Sequence, residues 1–143
     1  MLARREYSRA ELRARLLAKG VGEPEADAAL DELARRGLLS DARYAHAVVA
    51  QRAGRYGRRA IAHALKEKGV DAAAASMALD ALAGRDEIEE ASALWRRRYG
   101  TPPADEREKA RQVRFLVARG YPLSVALRVM RAAGAKPSDD ESA

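Results

Sequence analysis

At 143 residues the chain can form one domain or a few small modules sharing a core, and 48% hydrophobic residues suffice for a packed interior. It has no cysteine, which excludes disulfides, thiolate chemistry and zinc–sulfur sites. The opening MLARREYSRAEL holds no apolar run long enough for a signal peptide or membrane span, so a cytoplasmic location is expected. A net charge of +6 and pI ≈ 10.0 point to a polyanionic partner, either nucleic acid or an acidic protein surface.

Only 5% of residues are aromatic and Ala, Leu and Arg dominate, which favours helices over strands. Ser8 and Glu11 form a capping-box pattern at the start of a predicted helix over 9–19, with Leu12, Leu16 and Leu17 on one face and Gly20 as its stop. Pro24 opens a second helix to about residue 36, whose apolar stripe is Ala26, Ala29, Leu30 and Leu33, ended by Gly37. Ser40 and Asp41 start a third, with Tyr44, Ala45, Val48 and Val49 inward, and Gly54 breaks it.

The stretch YGRRAIAHALKEKG is the fourth helix, with Ile61, Ala64 and Leu65 as its core face. Asp71 caps a fifth helix running through Met77, Leu79 and Leu82 to Gly84. A sixth follows from about Asp86, with Ile88, Ala91, Leu94 and Trp95 inward. After the loop GTPPADE a seventh spans 105–119, with Phe115 and Leu116 inside. Pro122 begins the eighth, which carries Leu123, Leu127 and Met130 to Gly134. The tail AKPSDDESA is polar and expected to be disordered.

This organisation repeats. ELRARLLAKGV, AIAHALKEKGV and RQVRFLVARGY end at glycines 20, 69 and 120, which are 49 and 51 residues apart. A leucine sits four residues before each glycine (Leu16, Leu65, Leu116). A large apolar residue sits ten after it (Leu30, Leu79, Met130). Such a period indicates tandem modules. The expected division is an all-α array of three-helix modules over 1–53, 54–100 and 101–134, the last with two helices, followed by the tail 135–143. Stacked units of this size would form an elongated, curved array. Gln112 occupies the position held by Leu12 and Ile61 in the other repeats, and is expected to weaken the third core.

Signs of catalysis are missing. His46 and His63 lie in different helices without a metal-ligand pattern, the run DEIEE fits a helix start, and no glycine belongs to a phosphate loop. No catalytic residue, metal or cofactor is therefore expected. The Gly-containing turns suit a helix-turn-helix reader, but the second helix of the first repeat exposes Glu25, Asp27, Asp31 and Glu32, which phosphates would repel.

Cations gather elsewhere. Arg52, Arg55, Arg58, Arg59, Lys66 and Lys68 flank the junction of the first two modules, with Arg59, His63 and Lys66 on one helix face. Arg96, Arg97 and Arg98 form a second cluster at a helix end, where the dipole favours cations. Arg58 and Arg59 begin a helix, where it disfavours them. An anion converging on that helix start and its guanidinium groups would reverse the sign. Tyr44 fits a core stripe, and Tyr56 and Tyr99 fit module corners, so no aromatic platform interleaved with the cations is expected.

The pieces SRAELRARLLAKGV, GLLSDARYA, YGRRAIAHALKEKGVD and REKARQVRFLVARGY, in that order over residues 4–134, resemble the RecX family of recombination regulators. The resemblance implies tandem three-helix repeats in a curved shape and no catalytic activity. It also implies binding to the RecA recombinase and its nucleoprotein filament, with inhibition of RecA's ATPase, strand-exchange and coprotease activities. The resemblance further implies direct DNA binding by several members, with single- and double-stranded DNA as candidate partners, so a nonspecific basic protein competing for DNA is the alternative, and an adaptor for another acidic protein is a third reading. Family members carry more of a helix before Ser8, so MLARREY is expected to be its remnant and the first module incomplete. The chain is expected to act as a monomer.

Overall fold

The computed structural model describes residues 5–134. The first four residues and the tail 135–143, whose disorder the composition suggests, lie outside the described residues. Eight helices are found among the described residues: α1 (Arg9–Ala18), α2 (Glu23–Arg35), α3 (Asp41–Arg52), α4 (Arg58–Glu67), α5 (Ala72–Leu79), α6 (Glu87–Arg98), α7 (Glu106–Ala118) and α8 (Leu123–Gly134). A short 3₁₀ turn, Asp80–Leu82, extends α5. The fold is all-α.

The local signals act as the sequence suggests. Ser8 accepts from the Glu11 amide while the Glu11 carboxylate accepts from the Ser8 amide, a reciprocal cap. Asp71, Asp86 and Asp105 cap α5, α6 and α7 through side-chain oxygens. After α1, α4 and α7 the chain turns through Gly20, Gly69 and Gly120 at φ 91°, 71° and 97°. The amides of Val21, Val70 and Tyr121 then reach back to the carbonyls of Leu16, Leu65 and Leu116. These are three copies of one Schellman turn, and the left-handed residue in it is why glycine recurs.

The chain divides into two compact units. One comprises residues 1–51 and 61–83, the other residues 52–60 and 84–143. In the first, α1 packs on α2, and Leu30, Ile61 and Leu65 are fully buried. Ala26 and Leu30 form the buried stripe of α2, whereas Ala29 faces solvent. Polar staples join the helix ends of this unit. The buried Ser8 hydroxyl donates to the Lys68 carbonyl at 2.7 Å. The two oxygens of Asp41 accept from the Arg9 amide at 2.8 Å and the Asp71 amide at 3.0 Å. One carboxylate thereby serves donors at the starts of both α1 and α5 that the helices leave without partners.

In the second unit α6 packs on both α7 and α8. Its core gathers Ala91, Leu94, Trp95, Leu116, Tyr121, Ala126, Val129 and Met130. Gln112 does not weaken this core as the repeat comparison suggests. Its Oε1 accepts from Trp95 Nε1 at 2.7 Å inside the unit, so the polar side chain is satisfied and supplies the indole with its partner. The period of the repeat fixes its spacing but not where a module begins, and the packing groups α6 with the two helices that follow it.

Candidate partner-binding surface

Charge is unevenly divided between the units. Over the described residues, the unit built from 61–83 and the chain up to 51 holds ten Lys or Arg against eleven Asp or Glu. The unit built from 52–60 and 84 onward holds fifteen against seven. The basic character of the chain therefore resides in the second unit.

Within that unit the α3–α4 loop is held against the α7–α8 turn. The Gly57 amide donates to the Arg119 carbonyl at 2.7 Å, and a Cβ on Gly57 would strike the backbone of Gly120. Gly120 in turn lies against Ala60 at the start of α4, where no side chain fits. This close approach of two backbones positions Arg119. Its Nη1 donates to the Arg55 carbonyl at 2.9 Å, and its guanidinium lies 5.0 Å from the Tyr56 ring centre and 5.2 Å from that of Phe115. Arg52 covers Tyr56 at 5.5 Å. Arg98 lies 5.6 Å from both Phe115 and Tyr99, and those two rings meet edge to face.

Arginines and rings therefore alternate in one row: Arg52, Tyr56, Arg119, Phe115, Arg98, Tyr99. The stacking holds the guanidinium groups in place and costs them little hydrogen-bonding capacity. The expectation that aromatics do not interleave with cations is overturned, because Tyr56 and Tyr99 are parts of this row. Arg119 and Phe115 were not among the residues singled out by charge clustering. The signal for them, an Arg next to the turn glycine and a ring four residues before it, gains meaning only once the loop carrying Tyr56 is brought alongside.

The other expected residues fall as follows. Arg55, Arg58 and Arg59 are exposed at or just before the start of α4, in the same unit as the row. The Arg58 amide donates to Glu87 Oε2 at 3.2 Å. The anion inferred for this helix start is thus supplied at the backbone by the chain's own Glu87, from the first turn of α6. Arg96 and Arg97 are exposed and make no ion pair or side-chain hydrogen bond among the described residues, whereas Arg98 belongs to the row.

His63, Lys66 and Lys68 lie in the other unit. His63 faces Glu67 at 3.4 Å and Lys68 faces Glu11 at 3.5 Å, so both have intramolecular acidic neighbours. Two more acids of DEIEE also act within the chain: Asp86 caps α6 and Glu90 pairs with Arg85 at 3.0 Å. Among the described residues no group of His, Cys, Asp and Glu is placed to hold a metal ion. None of the described helices is long and apolar enough to cross a membrane.

Comparison with known proteins agrees with this architecture. Three family models match in chain order: the first three-helix domain of RecX at residues 1–33, the second at 40–79 and the third at 85–130. The last two ranges place α3 with α4 and α5, and α6 with α7 and α8. The regulatory protein RecX of Leptothrix cholodnii is 50% identical over 99% of this chain and 89% of its own length. That of Thermus thermophilus is 44% identical over 93% of this chain and 87% of its own. The crystal structure of RecX from Lactobacillus salivarius shares the fold, with a TM-score of 0.71 over 90% of this chain and 86% of that one at 18% identity.

Proposed function

The chain belongs to the RecX family of regulatory proteins, and from that premise we propose that it binds the RecA recombinase and its nucleoprotein filament. Bound there, it restrains ATP hydrolysis, strand exchange and coprotease activity, and acts by occupancy instead of by chemistry of its own. The observation that carries the reading is the arginine–aromatic row with Arg55, Arg58 and Arg59 in the same unit. Guanidinium groups held by ring stacking meet carboxylates or phosphates with little further ordering, which favours tight and oriented binding.

The charge-reversal variant Arg58→Glu with Arg59→Glu tests the surface. It should keep wild-type helicity yet lose inhibition of RecA's DNA-dependent ATPase, and full inhibition by the folded variant rejects this surface. The excess of cations in one unit also favours a second reading, in which the protein acts by competing for DNA. Pull-down against RecA with and without DNA and nucleotide separates the two. Capture of DNA-free RecA supports direct binding. Capture only through DNA, with affinity falling steeply in salt, supports competition.

A further inference from the structure

Helices α6 and α8 of the second unit leave a cavity of about 240 Å³ between them. Its walls are Ser92, Trp95 and Arg96 from α6 and Val129, Ala132 and Ala133 from α8. The floor is apolar and the rim is cationic. Arg96 lines the cavity itself. At 100° per residue Arg128 lies about 40° from Ala132 and one turn earlier, so a second guanidinium borders the cavity from α8. Both arginines are exposed, and neither makes an ion pair or side-chain hydrogen bond among the described residues. Helix α8 contains no Asp or Glu. On α6 the nearest acid on this side, Glu89, stands seven residues before Arg96, about 10 Å along the axis, where salt screens most of its charge.

The cavity lies where the chain leaves α8. Ala133 is part of its wall, and Gly134 ends both the helix and the described residues. Residues 135–143 read AKPSDDESA and carry Asp139, Asp140 and Glu141 against one cation, Lys136. The five residues from Gly134 to Asp139 can span about 18 Å, whereas Arg96 and Ala133 share one small cavity. The acids therefore reach the rim with chain to spare. On the way stand Ala135 and Pro137, small apolar residues suited to the floor. A tethered segment needs little affinity of its own, because a short link holds it at an effective concentration near the millimolar range.

We propose that the segment 135–143 docks on the α6–α8 cavity, with its acids on Arg96 and Arg128. The tail is then an internal stand-in for a polyanionic partner. It covers two cations of the strongly basic unit until a partner displaces its carboxylates. The contact itself does not depend on the RecA reading; its effect on RecA inhibition rests on that reading.

The chain has no cysteine, so an introduced pair gives a single disulfide. Ser92→Cys with Ser138→Cys places one thiol on the cavity wall and one in the tail. Arg131→Cys with Ser138→Cys is the control. Position 131 is exposed, nearer the tail along the chain, and about 150° round α8 from the cavity wall. A bridge requires the two Cα atoms within about 7 Å. In dilute full chain oxidised with diamide, the 92–138 pair should close about tenfold faster than the control at low salt. The preference should vanish in about 1 M sodium chloride, where the screening length is about 3 Å. It should vanish equally with Asp139→Asn, Asp140→Asn and Glu141→Gln. Arg96→Glu with Arg128→Glu should abolish it too, and adding Asp139→Lys with Asp140→Lys should restore it. Equal closure of the two pairs overturns the proposal, as does a preference that survives neutralisation of the three acids. In the chain without added cysteines, neutralising the acids should lower the concentration for half-inhibition of RecA's ATPase about fivefold. An unchanged midpoint overturns the stand-in role. Absent inhibition by both proteins rejects the RecA reading and leaves the contact to the disulfide assay, which contains no RecA.

Discussion

Replacing Gln112 by methionine separates repeat logic from structural logic. The equivalent positions hold Leu12 and Ile61, so by repeat comparison an apolar residue belongs there and the variant should gain stability. The structure gives the opposite sign. Gln112 and Trp95 are 4% and 6% exposed, and the indole N–H donates to the amide oxygen at 2.7 Å. Methionine keeps the length and volume of glutamine but accepts poorly, so the indole N–H is left buried without a partner. That costs about 1–3 kcal/mol. Exchanging the amide for a thioether returns about 0.8 kcal/mol per additional buried methylene equivalent. The net expectation is a loss of about 1 kcal/mol.

Background dependence makes the test sharper. With Trp95→Phe there is no N–H to orphan, and Gln112→Met becomes neutral or stabilising. Urea unfolding followed by far-UV circular dichroism on wild type, both single variants and the double variant closes the cycle. The expected coupling is at least about 1 kcal/mol. Stabilisation of the wild type by Gln112→Met, or coupling below about 0.5 kcal/mol, refutes the claim that the pair is a satisfied polar unit of the core.

Two further expectations concern the turn into α8. Gly120→Ala should destabilise by about 2–4 kcal/mol, because it combines a positive φ with overlap onto Ala60. Gly37→Ala, equally left-handed but with open space around it, should cost only about 1 kcal/mol, and thermal melts of the two variants measure the difference. Tyr121 is fully buried and its hydroxyl has no hydrogen-bond partner among the described residues, so Tyr121→Phe should raise stability by about 1 kcal/mol in urea. Burial, with the charges of Glu90 and Glu87, pushes its phenol from 10.0 up to about 12. A folded value above the unfolded one means stability is intact below pH 10 and is lost as pH rises toward 12. The phenylalanine variant should lack that part of the alkaline loss, on the order of 2 kcal/mol, when the two proteins are compared by urea titration across this range.

The features written locally in the sequence were legible, and those made by long-range approach were not. Helix starts at Ser8, Asp71, Asp86 and Asp105 and turns at the repeated glycines follow from backbone groups within one turn of the residue that satisfies them. The basic character of Arg52, Arg55, Arg58 and Arg59 was equally plain. Their setting was not, because Arg119 reaches the carbonyl of Arg55 across 64 positions and Glu87 reaches the amide of Arg58 across 29. The grouping of helices was hidden for a different reason. A period near fifty residues is satisfied whether the third helix closes one module or opens the next, and the packing of α6 on α7 and α8 is a long-range feature that the period does not carry.

The repeats also show how one scaffold yields two differently charged units. The helix before each turn glycine carries cations in the same register: eleven residues before that glycine stand Arg9, Arg58 and Lys109. After α1 comes α2, whose acids cancel them, since Arg9 meets Asp31 at 2.7 Å and Arg13 meets both Asp27 at 2.9 Å and Glu23 at 2.8 Å. After α4 comes α5, and after α7 comes α8; neither contains an Asp or Glu, and α8 adds Arg128 and Arg131. Folding requires the leucine, the glycine and the apolar residue ten positions on, and these recur in all three copies. It does not require acids on the helix that follows the turn, because exposed ion pairs contribute little to stability. Their absence from the helices that follow α4 and α7 therefore leaves the scaffold intact.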